Sequence, residues 1–257
     1  MDWGRAKSVL IAAFLLLNLL LGYQLWLDVR ERLDTGADRA ELPQETLLLM
    51  KQKGIRNEMS GGIPAETPEL GEISFRYTEL PDDGGGIALK EPVDTKAVFT
   101  GKELQDKLGG IIPELDRYAY DQAASGKDKR GRDTFVFYRL EGRYPIFDVP
   151  LELYYSNQKI TAYRQHRVAD IAPAKADDSK GQPIISADKA INRLVSDYLQ
   201  AGAVIVDIRL GYHGRTINNE VPFASPTWRV LLGDGTRYYF NAISGDVESG
   251  KDGSQRG

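Results

Sequence analysis

Nineteen consecutive residues, Val9 to Leu27 (VLIAAFLLLNLLLGYQLWL), contain no charged side chain. A helix of that length, at a rise of 1.5 Å per residue, runs roughly 28 Å, close to the hydrocarbon thickness of a bilayer. A cleaved export signal would have a shorter apolar centre followed by small residues, whereas this run continues through Tyr23, Gln24, Leu25 and Trp26 into DVRER. The pattern predicts an uncleaved transmembrane helix, with Tyr23 and Trp26 as membrane-interface anchors. Arg5 and Lys7 on one flank nearly balance Arg30, Arg32 and Arg39 on the other, so charge leaves the orientation open. Asn18 falls near the midplane, and Gly22, one turn later, shares its face. An amide in hydrocarbon seeks a partner, which makes Asn18 and Gly22, continued by Ser8 and Ile11, a candidate interaction face for another helix. The competing reading is that Asn18 bonds only the backbone of its own helix.

Beyond the run the chain has the material of a folded body: 42% of all residues are hydrophobic and 27% charged. The formal charge is −4, and Asp2, Arg5 and Lys7 together add a positive charge, so the remainder is more acidic still. Such a body does not favour nucleic acid. The absence of cysteine excludes disulfides, thiol catalysis and thiolate metal sites. Pro43 can open a helix carrying an apolar patch of Leu47, Leu48 and Met50, with Gly54 as its stop. EISFRYTEL alternates as a strand does, and GKELQDKL (101–108) reads as a short helix. After an extended start at Tyr118–Asp121, QAASGKDKRGRD reads as a polar loop. Strands at 134–140, 149–155 and 159–168 follow with short links, which predicts an antiparallel meander. Ser186 can cap a helix bearing Ala190, Ile191, Leu194, Val195, Tyr198 and Leu199, stopped by Gly202. AVIVDIRLGYH is a further strand, and PTWRVLLGDGTRYYFNA is a hairpin turning at Asp234-Gly235. A two-residue turn there would set Val230 opposite Tyr239 and Leu231 opposite Tyr238.

Several motifs invite a chemical reading. LDTGAD (33–38) resembles an aspartic-protease signature, but that chemistry needs the aspartate on a loop after an apolar strand, and Asp34 follows charged DVRER. His166 and His213 lack metal-ligand spacing, and Gly84–Gly86 lack the lysine and hydroxyl of a phosphate loop. Lys127, Lys129, Arg130 and Arg132 form a basic cluster that could touch an anionic wall polymer, although solvated loop tips with this composition are commoner. Tyr154, Tyr155, Tyr238 and Tyr239 could line a sugar or peptide groove or simply pair across strands. No catalytic set, cofactor motif or metal motif emerges.

Three separated stretches, MDWGRAKSVLIAAFLLLNLLLGYQL, YPIFDVPLELYYSNQKITAYRQ, and LGYHG followed by PTWRVLLGDGTRYYFNAISGDVE, together resemble the YycI (WalI) family. The likeness loosens between residues 59 and 92. It implies a membrane-anchored regulatory protein of the YycFG (WalRK) two-component system, acting with a YycH-type protein in a heteromer on the YycG (WalK) sensor histidine kinase, which governs cell-wall metabolism. It places the N-terminus in the cytoplasm and the body outside, with the lipid bilayer met through the transmembrane helix. The expected fold class is α+β: a single N-terminal transmembrane helix, then an extracytoplasmic body of antiparallel sheets packed with helices in two lobes. The segments are a cytoplasmic N-terminus (1–8), transmembrane helix (9–27), juxtamembrane segment (28–41), first α+β lobe (42–169), linker (170–183), second α+β lobe (184–249) and flexible tail (250–257). A homodimer stays open beside the heteromer. A binding module for a cell-wall fragment or peptide is the alternative to the kinase regulator.

Overall fold

A computed structural model describes residues 14, 18, 39–79, 86–128, 130–175, 180–215 and 222–250. Their elements begin with α1 (Gln44–Lys53), β1 (Ile73–Glu79), β2 (Ile87–Asp94) and α2 (Gly101–Leu108). A run of strands follows: β3 (Tyr118–Lys127), β4 (Asp133–Glu141), β5 (Tyr144–Ser156), β6 (Lys159–Gln165) and β7 (Arg167–Pro173). The order closes with α3 (Ala187–Asp197), β8 (Val204–Arg215), β9 (Phe223–Leu232), β10 (Arg237–Asn241) and β11 (Val247–Gly250). The body is α+β and sheet-rich. Among the described residues no helix is long and apolar enough to cross a membrane. The run Val9–Leu27 lies outside those residues except for Phe14 and Asn18, which are helical and exposed.

Among the described residues twelve strands join in one branched sheet whose main path runs β7-β1-β9-β8-β5-β6-β2, with the two-residue strand Arg56–Asn57 lying parallel to the start of β8 as the twelfth. β10 and β11 extend it from β9, and β4 and β3 extend it from β5. The meander of β4, β5 and β6 is antiparallel, as the short links predict. Other joins close long loops: β1 meets β9 through Ile73–Ala224, and β8 touches β5 in parallel at Tyr212–Ile146.

Two large apolar clusters hold these layers. One gathers Phe75, Leu104, Leu108, Ile146, Leu151 and Ile160 beneath α2. In the other, α1 and α3 cover Trp228 and Val230 of β9. Ala187, Ala190, Ile191, Leu194 and Val195 recur at helical spacing, and each is at most 1% exposed. Burial of each larger side chain contributes about 1.5–3 kcal/mol. Met50 of α1 joins them, but Leu47 and Leu48 face outward, because Thr46 and Met50 make the stripe of α1 that is buried.

Local differences from the sequence-based expectations have local causes. α1 ends where expected, with Gly54 at φ +65°. α3 stops at Asp197, short of Gly202: the Leu199 N–H reaches back five residues to Leu194 O (2.8 Å), which breaks the helical ladder, and Lys53 Nζ donates to the freed carbonyls of Val195 (2.6 Å) and Ser196 (3.0 Å). The expected strand 159–168 divides at His166, whose N–H donates to Pro150 O across the break at 2.9 Å. β3 continues to Lys127 through what reads as polar loop, by means of a bulge between Asp121 and Gly126. β7 also carries strand pairing into residues 170–173.

Candidate functional site

The site begins with one residue of register. Gly233, Asp234 and Gly235 form a three-residue loop: the Gly235 N–H donates to Leu232 O at 2.9 Å, and Gly235 holds φ +83°. That left-handed residue is the mark of a bulged hairpin. The pairs are therefore Arg229–Tyr239, Val230–Tyr238 and Leu231–Arg237, one step from the register of a two-residue turn. A one-residue step exchanges the faces of a strand. Tyr239 consequently shares a face with Arg229, while Trp228 and Val230 turn toward α3.

On this shared face Arg229 is wholly buried. Its guanidinium meets Asp121, also wholly buried, at 2.8 Å and Asp207 at 2.6 Å. Arg209 approaches Asp121 at 3.2 Å, and the Ala124 N–H of the β3 bulge donates to it at 3.0 Å. Burial opposes the charge of Asp121, but Arg229, Arg209 and the Ala124 amide outweigh it and hold its pKa below the ordinary value. The guanidinium also sits 4.9 Å from the ring centre of Phe147 and 5.7 Å from that of Tyr138. Gly211 makes room for this packing, since a β-carbon there would lie 2.6 Å from the Phe147 ring and 2.4 Å from Pro145 O.

Above this layer opens a groove of about 540 Å³. Tyr138, Phe147 and Tyr239 line its floor. Tyr239 stacks on His213 with centroids 3.8 Å apart, and His213 Nδ1 lies 2.9 Å from Asp148 Oδ1. The Gly214 N–H donates to the other oxygen of Asp148 at 2.9 Å. His166 lines the groove too, with its Nδ1 buried and without a hydrogen-bond partner. Burial, reinforced by Arg164, lowers the His166 pKa, so the imidazole is neutral near pH 7.

The remaining wall is a relay of charge. Asp128 accepts from the backbone N–H of Arg130 (2.9 Å) and Arg132 (2.8 Å) and from Arg132 Nε (2.8 Å). The hairpin tip is thus an organised turn, and it sets the Arg132 guanidinium 3.8 Å over the Tyr154 ring. The Tyr154 hydroxyl donates to Glu152 Oε2 at 2.6 Å, and Arg164 Nε donates to the same oxygen at 2.8 Å. Burial, then the Glu152 hydrogen bond, push the Tyr154 pKa up to about 12.

The basic cluster read from sequence therefore stands on one wall, with Lys127, Arg130 and Arg132 lining the groove and Lys129 outside the described residues. The four tyrosines do not act together. Tyr239 reaches the floor, Tyr154 lies beneath Arg132, Tyr155 stacks on Phe135 at 4.3 Å, and Tyr238 packs toward the α3 cluster. Asp121, Arg164, Arg229 and Arg237 carried no local signal, because isolated charges in strand patterns read as solvent-facing. Among the described residues no three His, Asp or Glu side chains gather to hold a metal. Ser8, Ile11, Gly22, Tyr23 and Trp26 lie outside the described residues.

The sheet-rich α+β architecture thus frames a groove of small-molecule size with basic residues on its walls. The chain belongs to the YycI family, whose family description, YycI protein, matches residues 82–243. That is a regulatory family not known for catalysis, and membership suggests a regulator of the YycFG system, associated with YycG and YycH. Family members are typically membrane-associated. No curated protein matches the chain. Among solved structures it is similar to the Bacillus megaterium YpeB C-terminal domain, with 14% identity, 82% of this chain and 98% of that chain covered, and a TM-score of 0.36.

Proposed function

We propose that this protein is a non-enzymatic, single-pass membrane regulator that acts with a YycH-type partner on a YycG (WalK) sensor histidine kinase. Its N-terminus is cytoplasmic, its body extracytoplasmic, and its message crosses through contacts of the Val9–Leu27 helix. The observation that carries this reading is the family match over residues 82–243. The apolar run supports it by its length, and Asn18 and Gly22 supply a face on which a neighbouring helix can pack. A bias of a few kcal/mol between kinase states is enough to shift signalling, and helix contacts supply energies of that order.

The test replaces Asn18 and Gly22 by leucine, singly and together, in the full-length protein. Loss of co-purification with the kinase, together with altered expression of the genes it controls, is the expected result. Unchanged association and unchanged expression in the double variant would remove this contact face.

A further inference from the structure

We infer that the groove bounded by β4, β5, β6 and β10 binds a small oxyanion-bearing molecule, phosphate or carboxylate, between the guanidiniums of Arg132 and Arg164 and an aromatic floor. The inference goes beyond the kinase reading and does not depend on it.

Charge balance is the first support. Five cations line the groove (Lys127, Arg130, Arg132, Arg164, Arg237) against three carboxylates (Asp128, Asp148, Glu152), with Asp133 pairing Lys127 at 2.9 Å from its edge, within a chain of formal charge −4. A local positive excess against an acidic background concentrates anions at that one place.

Depth is the second support. Asp128 is 13% exposed beneath Arg132 at 34%, and Glu152 is 17% exposed beneath Arg164 at 25%. In both pairs the carboxylate is the less exposed partner, so the arginine presents the larger surface to an incoming ligand. Each arginine is fixed through Nε to its own carboxylate, and Tyr154 links the two pairs. Arginines held in this way lose little freedom on binding, and the planar group suits carboxylate or phosphate. Asp148 accepts from the Gly214 amide at 2.9 Å and lies 2.9 Å from His213 Nδ1, so it faces the sheet as well as the groove.

Size and floor are the third support. About 540 Å³ matches a small-molecule site. Phe147 and Tyr239 give it an apolar base against which the carbon body of a ligand can rest, and the His166 imidazole adds a polar edge.

The test is calorimetric titration of the full-length protein in phosphatidylcholine nanodiscs with sn-glycerol 3-phosphate, D-glucuronate, glycerol and glucose, and with poly(glycerol phosphate) as a polymeric source of the same group. One-to-one binding of one or both anions, with none of the neutral compounds, is expected. Arg132→Gln and Arg164→Gln should each weaken it about tenfold, as the loss of one charge-assisted hydrogen bond does. Arg130→Gln, at the exposed tip, should weaken it less, and added salt should weaken it in the unaltered protein, which needs no variant to fold. Equal binding of glucose, indifference to salt, or binding by none of the probes overturns the inference. Polymer binding without monomer binding also overturns it, because that result signals diffuse charge. Asn18 and Gly22 variants should leave every titration unchanged, so the kinase reading and this one fail separately.

Discussion

Arg229 and Asp121, 108 residues apart in sequence, meet at 2.8 Å with both side chains wholly buried. The pair ties β9 to the start of the β3 bulge, and each group justifies burial of the other. Arg229→Met or Asp121→Leu alone should therefore destabilise the protein by about 3–5 kcal/mol, since each strands a buried charge. The double variant should cost much less than the sum of the two. Urea unfolding followed by tryptophan fluorescence measures this, because Trp228 is 1% exposed and lies beside Arg229 in sequence.

The same pair predicts an acid limb. The folded pKa of Asp121 lies below the ordinary 3.8, so its contribution is complete above that pH and is lost as pH falls through the folded value. Asp121→Asn should flatten the acid side of the stability profile while lowering the neutral plateau.

His166 acts in the same direction at higher pH. Its folded pKa is lowered from 6.5, so the unfolded chain binds the proton more readily. Stability is complete above about pH 6.5 and declines below it until the folded pKa is reached. Arg164 reinforces the shift, while Glu152 and Asp148 oppose it. His166→Gln should remove this decline, as judged by urea midpoints at pH 5.0 and 7.5, settings chosen about one unit or more to each side.

Gly211 and Gly214, both within the LGYHG stretch, are positions of close approach. A β-carbon on Gly214 would fall 1.7 Å from Phe223 O, a backbone atom, and one on Gly211 would meet Pro145 O and the Phe147 ring. Gly211→Ala should cost about 1–3 kcal/mol by forcing that ring aside. Gly214→Ala should cost at least as much, because a strand must move. Thermal unfolding of each variant reads the order.

Exposure within the helices makes a further contrast. Leu194 of α3 is fully buried, and Leu194→Ala should cost about 2–5 kcal/mol. Leu48 of α1 is 68% exposed, so Leu48→Ala should stay within about 0.5 kcal/mol. Parallel denaturation curves compare them.

Local patterns carried a good part of this structure. The spacing of Ala190, Ile191, Leu194 and Val195 defined the buried face of α3, GKELQDKL matched α2 residue for residue, and short links announced the β4-β5-β6 meander. Each depends on neighbours in the chain, which periodicity records. The hairpin at Asp234-Gly235 was legible as a hairpin but not in register, because two-residue and three-residue loops share the same turn residues and differ in which hydrogen bonds close.

The basic cluster of the groove was visible as composition but not as a site. Its meaning depends on Arg164 and Arg237 from distant strands, on carboxylates set beneath the arginines, and on a register that brings Tyr239 to the floor. The sequence by itself determined the apolar run, the α+β class and the identity of the helices, since these follow from hydrophobic period and breakers along a few neighbouring residues. Only the tertiary structure decided that Asp121 and Arg229 bury one another and that strands distant in sequence build one groove. Those contacts span loops of a hundred residues or so, and a local pattern holds no record of which distant charge will be there to offset desolvation.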